Sequence, residues 1–186
     1  MMGKGSSMKG VVFTEFMEMV EDRFSADMLD DIIEDAGTAS DGAYTAVGSY
    51  PFAELLRLLA ALSQRTGMDS QEIIYLFGHY LFGRFTTLYP YSIQGCADAF
   101  SLLGNVDQYI HVEVQKLYPD AELPQITVVS RDPKRLELLY NSPRCLASLA
   151  TGLIQGTLDH FGEQARIVVE PLNETGSQVR FVVEHV

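Results

Sequence analysis

From Phe13 to Val20 the apolar residues Phe13, Phe16, Met17 and Val20 fall at i, i+3, i+4 and i+7, the spacing of an amphipathic helix. "ADMLDDIIEDA" predicts a second helix over residues 26–36. "GTASDGAYTAVGSYP" reads as a loop with a short extended piece around Tyr44 to Val47. A third helix begins near Pro51 and carries Leu55, Leu56, Leu59 and Leu62. Asp69 and Glu72 form a capping-box-like start for a fourth, which runs through Ile73, Ile74, Phe77, Leu81 and Phe85. After "YPYS" the pattern gives one more short helix, then a long one from about Val106 to Tyr118.

The character of the chain changes near Pro119. "QITVVS" and "RLELLY" are β-rich runs joined by "RDPK", which has turn chemistry. A helix of about five turns is predicted from Pro143 to about Phe161. "RIVVEP" and "VRFVVE", joined by "LNETGSQ", form a second hairpin. Helices first, then two hairpins with a helix between them, predict one α+β domain with a helical N-terminal lobe. "MMGKGSS", residues 1–7, reads as an expression leader, which leaves 8–186 as the domain. The helical lobe is expected over about 8–70 and the sheet lobe over about 71–186.

The chain has 186 residues and a net charge of −12, enough length for one sizeable core and too acidic for a partner built on phosphates. The only cysteines, Cys96 and Cys145, lack metal-site spacing, which favours a reducing compartment over a disulfide framework. Cys145 is expected to be a small packed residue. No apolar run reaches the roughly 18 residues of a membrane span, and no secretory signal pattern is present. A cytoplasmic protein is expected, with neither membrane nor nucleic acid as partner.

The four histidines, His79, His111, His160 and His185, show no metal-ligand spacing on one helix face. No nucleophile elbow, phosphate-binding glycine loop or HExxH motif occurs, so no enzyme is indicated. On the helix around "YIHVEV", Leu103, Val106, Ile110, Val114 and Leu117 make a stripe, and His111 lies at its shoulder. Periodicity alone reads it as a half-buried surface histidine. A single histidine without a second protein ligand also fits the proximal ligand of a haem iron. In "LLYNSPRCL", Tyr140, Ser142 and Arg144 stand at every second position, and in an extended backbone such side chains share one side. Ser142 as N-cap and Pro143 at the first helical position would open the following helix. Three donors would then converge as an anion clamp. Separately, they read as a strand aromatic, a cap and an exposed first-turn arginine.

"MKGVVF", "YIHVEV" followed by Leu-Tyr-Pro, and Tyr-x-Ser-x-Arg in "YNSPR" together resemble the H-NOX family, haem nitric oxide/oxygen binding domains related to the haem domain of soluble guanylate cyclase. The resemblance covers residues 8–186. It implies a helical N-terminal lobe packed on a C-terminal lobe with an antiparallel sheet and helices, with haem b between them. It makes His111 the proximal iron ligand and Tyr140, Ser142 and Arg144 the clamp on the haem propionates. Pro124 matches a proline that presses on and distorts the porphyrin, and Gly78 matches a glycine associated with movement of the helical lobe.

Oxygen-binding members of that family carry a distal tyrosine five residues after the motif arginine, and the matching position is Leu149. Val12, Phe16, Phe85 and Leu153 match the rest of the distal wall, and Leu81 stands where oxygen-binding relatives carry a supporting polar residue. None offers a hydrogen-bond donor. The resemblance therefore implies a nitric oxide sensor that excludes oxygen, with carbon monoxide as a second ligand. Its signal would pass to a separate histidine kinase or cyclic-di-GMP enzyme. "EPLNETGSQVRF" lacks the Cys and His of the zinc site that some relatives carry there. Three rivals stay open. An oxygen sensor or carrier would need a donor from Tyr44, Tyr50 or Tyr80. A haem enzyme would need a distal acid-base pair, for which His79 is the one candidate. A haem-free interaction module would keep the fold alone.

Overall fold

Serine 25 and Gly37 bracket the second helix, and they show how closely local chemistry sets the elements of this fold. The computed structural model describes residues 7–186, so the expected leader lies outside the described residues except for Ser7. The chain forms two compact units whose boundary in sequence falls between Phe77 and Gly78.

In the first unit, β1 (Ser7–Lys9) leads into α1 (Gly10–Arg23). Helix α2 (Ala26–Ala36) starts at Ser25, whose side chain accepts from the Met28 N–H, and stops at Gly37 with φ 50°. Strand β2 (Ser49–Pro51) precedes α3 (Phe52–Thr66), and α4 (Ser70–Leu88) begins after Asp69, whose Oδ1 accepts from Gln71 N at 2.8 Å. The core gathers Phe13, Phe16, Met19 and Val20 of α1, Ile32 of α2, Leu55, Leu58, Leu59 and Leu62 of α3, and Ile73, Ile74 and Phe77. Phe16 and Phe77 meet edge to face, with ring centroids 5.3 Å apart.

The loop between α2 and β2 differs from expectation. No strand forms at Tyr44 to Val47; the extended piece is Ser49–Pro51, which pairs antiparallel with β1. Side chains hold the loop instead. The Tyr44 ring stacks on Phe13 at 4.5 Å, and its hydroxyl donates to Oε2 of buried Glu54 at 2.8 Å. Burial pushes the Tyr44 pKa up to about 12. Gly10 donates its N–H to Gly48 O at 2.8 Å, and a Cβ there would collide with Thr45 O, so only glycine allows this approach.

The second unit contains α5 (Ala99–Gly104), a π-helical turn (Val106–Ile110) and α6 (His111–Leu117). These precede the hairpin β3 (Gln125–Arg131) and β4 (Arg135–Asn141), helix α7 (Ala147–Phe161), and the hairpin β5 (Ala165–Pro171) and β6 (Gln178–His185). The strands form one antiparallel sheet in the order β3-β4-β6-β5. Leu136, Leu138 and Tyr140 of β4 alternate inward and pair with Val183, Phe181 and Val179 of β6. Ala99, Phe100 and Leu103 of α5 and Ile154 and Leu158 of α7 complete this core.

The helix expected from Val106 to Tyr118 forms but is not uniform: it opens with the π turn, which runs directly into a short α6 that ends at Leu117. Of its expected buried stripe, Leu103 is buried, Val106, Ile110 and Val114 are half-buried, and Leu117 is 57% exposed. The extra residue in the wide turn rotates the side chains out of one continuous 3.6-residue stripe.

Candidate functional site

Histidine 111 begins α6 directly after the π turn. Asn105 O accepts from both Tyr109 N at 2.9 Å and Ile110 N at 3.4 Å, and the His111 N–H reaches back five residues to Val106 O. The imidazole side chain is 17% exposed. Its Nδ1 lies 2.7 Å from Asp107 Oδ1, and Asp107 Oδ2 accepts from Ile126 N at 2.8 Å. Burial pulls the His111 pKa below the ordinary imidazole value, against the opposing pull of Asp107. A carboxylate only accepts, so Nδ1 carries the proton in the bond to Asp107. In that tautomer Nε2 bears the lone pair, the form in which an imidazole can bind a metal. Sequence reading missed Asp107, although an acid four residues before a histidine on one helix is a readable signal.

Tyr140 and Ser142 do lie together. Both are buried, at 2% and 3% exposure. The Tyr140 hydroxyl accepts from Leu146 N at 3.1 Å, and burial pushes its pKa up. Ser142 N donates to Ser177 O at 2.9 Å, which extends the strand by one residue. The serine does not cap α7, which starts only at Ala147. Instead Cys145 N donates to Ser142 O at 3.3 Å, Arg144 N donates to Ser142 Oγ at 3.3 Å, and Cys145 takes a left-handed φ of 54°. A helix cannot pass through that residue, so the Ser-Pro signal produced a turn. Cys145 is exposed there rather than packed. Burial raises the thiol pKa of half-buried Cys96.

Arg144 leaves this turn toward the segment before β3. Its Nη1 donates to Glu122 O at 2.7 Å and its Nη2 to Glu122 Oε2 at 2.6 Å. A carboxylate thus already sits on this guanidinium. Half-buried Pro124 follows two residues later, immediately before β3.

The expected distal residues divide between the two units. Val12 and Phe16 lie on α1, half-buried and buried respectively. Leu81 and Phe85 lie on α4 beyond Gly78, and half-buried Leu149 and Leu153 lie on α7. Helices α4 and α7 pack closely: a Cβ on Gly78 would run into Leu149 O, and one on Gly156 would lie 2.9 Å from Phe82 Cβ. Beside this crossing His79 Nε2 is 2.7 Å from Asp159 Oδ2. None of Leu81, Phe85, Leu149 and Leu153 bears a donor.

A half-buried imidazole held by a carboxylate on Nδ1, two buried hydroxyls and a guanidinium on a carboxylate fit a group with both metal and anionic parts. It needs one axial nitrogen and donors for its carboxylates, as haem does.

The sequence model of a family described as Haem-NO-binding matches residues 9–169. No curated protein matches the chain. Among solved structures, the Fe(II) unliganded H-NOX protein from K. algicida is 36% identical with a TM-score of 0.90, covering 96% of this chain and 97% of that one. The S. oneidensis H-NOX protein in the Fe(II)NO state is 28% identical with a TM-score of 0.88, covering 96% and 99%. The IWP-051-bound H-NOX from Shewanella woodyi in the Fe(II)CO state is 38% identical with a TM-score of 0.82, covering 96% and 95%.

Proposed function

The chain belongs to the haem-NO-binding, or H-NOX, family, and on that premise we propose that it senses nitric oxide at a haem b, excludes oxygen and signals to a separate protein. H-NOX domains are haem-binding gas sensors and not catalysts. The observation that carries the reading is the half-buried His111 ring with Asp107 on Nδ1 at 2.7 Å.

Bound haem would supply the iron that takes up a diatomic gas. His111 would hold that iron through Nε2. Tyr140, Ser142 and Arg144 donate to the propionates, and Arg144 exchanges the Glu122 carboxylate for one of them or shares it. Pro124 presses on the porphyrin. Selectivity rests on what is missing from the side chains: dioxygen needs a donor to be held firmly, whereas nitric oxide does not. Leu149 stands where that donor would be, and Val12, Phe16, Leu81, Phe85 and Leu153 supply none. Carbon monoxide, which the S. woodyi relative holds, also needs no donor. His111 would carry the signal from the haem into the chain, with Gly78 as the hinge. The receiver is a histidine kinase or a cyclic-di-GMP enzyme. Among the described residues no helix is long and apolar enough to cross a membrane, which agrees with a cytoplasmic site of action.

The absorption spectrum of the reduced protein under argon, in air and with nitric oxide tests this. A spectrum unchanged by air that converts with nitric oxide to a form lacking the His111 bond supports the reading. A stable complex in air makes the protein an oxygen sensor or carrier, and a colourless folded protein makes it a haem-free module.

A further inference from the structure

We infer that Asp107 is a positioning residue for the proximal ligand: its carboxylate fixes the His111 ring, strengthens the histidine-iron bond and ties it to β3. The inference rests on the haem reading above. One carboxylate uses its two oxygens on two different elements, Oδ1 on His111 Nδ1 at 2.7 Å and Oδ2 on Ile126 N at 2.8 Å. Ile126 is the second residue of β3, two positions after Pro124.

Three consequences follow from that geometry. First, a carboxylate on Nδ1 selects the tautomer with its lone pair on Nε2 and fixes the plane of the ring. Second, an anionic acceptor draws the Nδ1 proton toward itself, which makes Nε2 a stronger base and a stronger ligand. The gas must therefore overcome a firmer bond before His111 lets go. Third, the acid is itself held by a main-chain N–H. A free aspartate could change rotamer when the ring moves. This one is anchored to the strand that follows Pro124, so displacement of the ring pulls on β3. The π turn serves the same end: it places Asp107 before His111 in a segment whose backbone hydrogen bonds span five residues.

The experiment compares ferrous, haem-loaded wild type with Asp107→Asn, Asp107→Ala and Asp107→Glu. Resonance Raman scattering reads the iron-histidine stretching frequency, and haem transfer to an acceptor protein reads retention. The frequency is expected to fall in Asp107→Asn and Asp107→Ala and to recover partly in Asp107→Glu. Haem transfer is expected to quicken roughly ten-fold in Asp107→Asn and Asp107→Ala, the lower end for second-layer partners of metal-bound histidines. If Asp107→Ala does not fold, the isosteric Asp107→Asn carries the comparison. An unchanged frequency in Asp107→Asn, with His111 still on the iron, overturns the inference and leaves the sensor reading standing. A wild type with no iron-histidine band overturns both.

Discussion

Arg144 clasps Glu122 twice, through the main-chain oxygen and the carboxylate, although the arginine side chain is 6% exposed and the glutamate 57%. The residue proposed to take a propionate therefore has an internal carboxylate in hand. Glu122→Gln leaves the buried guanidinium facing a neutral acceptor. The haem-free protein is expected to lose about 1 kcal/mol of stability, discounted for the exposure of the glutamate. Haem should close that gap, because its propionates restore the anion. Thermal melts of both proteins with and without haem measure this, and a gap that haem leaves unchanged removes Arg144 from the clamp.

Leu149→Tyr puts a hydroxyl where none of the neighbouring proposed distal residues has one. The variant is expected to form a complex in air that wild type does not, visible as a shifted absorption band on aeration. Overpacking would cost about 1–3 kcal/mol, so a stability check accompanies the spectrum.

Gly78 has no room for a side chain, because its Cβ would meet the Leu149 carbonyl, whereas a Cβ on Gly83 would find open space. Gly78→Ala should push α7 from α4 and cost about 1–3 kcal/mol. Gly83→Ala, on the same helix, should stabilise by about 0.5–1 kcal/mol through lower backbone entropy in the unfolded chain. Urea unfolding of the pair separates close packing from helix propensity. Equal effects would mean that the crossing is not tight.

The hydrogen bond from His79 holds the Asp159 carboxyl below the ordinary carboxylate range, and a bond from Gln155 adds to it. The folded value lies below the unfolded one of about 3.9, so ionised Asp159 stabilises the fold. That contribution is complete above about pH 4 and disappears as pH falls through the folded value. It is worth less than about 1 kcal/mol, since the Asp159 side chain is 52% exposed. Chemical denaturation of wild type and Asp159→Asn should differ at pH 6 and converge in acid; a constant difference would assign the effect to packing.

Where one local signal acted alone, the sequence was a good guide. Ser25 and Gly37 mark α2, whose bounds match the expected 26–36. The two hairpins follow from β-rich runs around turn residues, and the sheet order then needs only β4 to meet β6. Reading failed where two signals competed. Ser142 and Pro143 signal a helix start, yet Ser142 N is already engaged by Ser177, and the chain turns at Cys145 before α7 can begin. Around His111 the expected helix forms, but its π turn shifts the phase of the apolar stripe, which composition does not reveal. Glu122 was not legible as a partner of Arg144, nor Asp107 as a partner of Ile126, since each bond depends on a second segment; only the i, i+4 pairing of Asp107 with His111 could have been read.

The π turn also bears on how this region tolerates changes in length. A turn closed five residues back contains one residue more than the α-turn that could join the same two ends. Removing a residue from Gln108–Ile110 therefore has somewhere to go: the turn can tighten to α geometry without disturbing α5 before it or α6 after it. In an unbroken helix the same deletion would swing every later side chain by about 100°, the angle of one step at 3.6 residues per turn. The segment that presents His111 thus contains its own slack, a place where loss of one residue can be absorbed without turning α6 relative to α5, at the cost of the Asp107 contact on the imidazole.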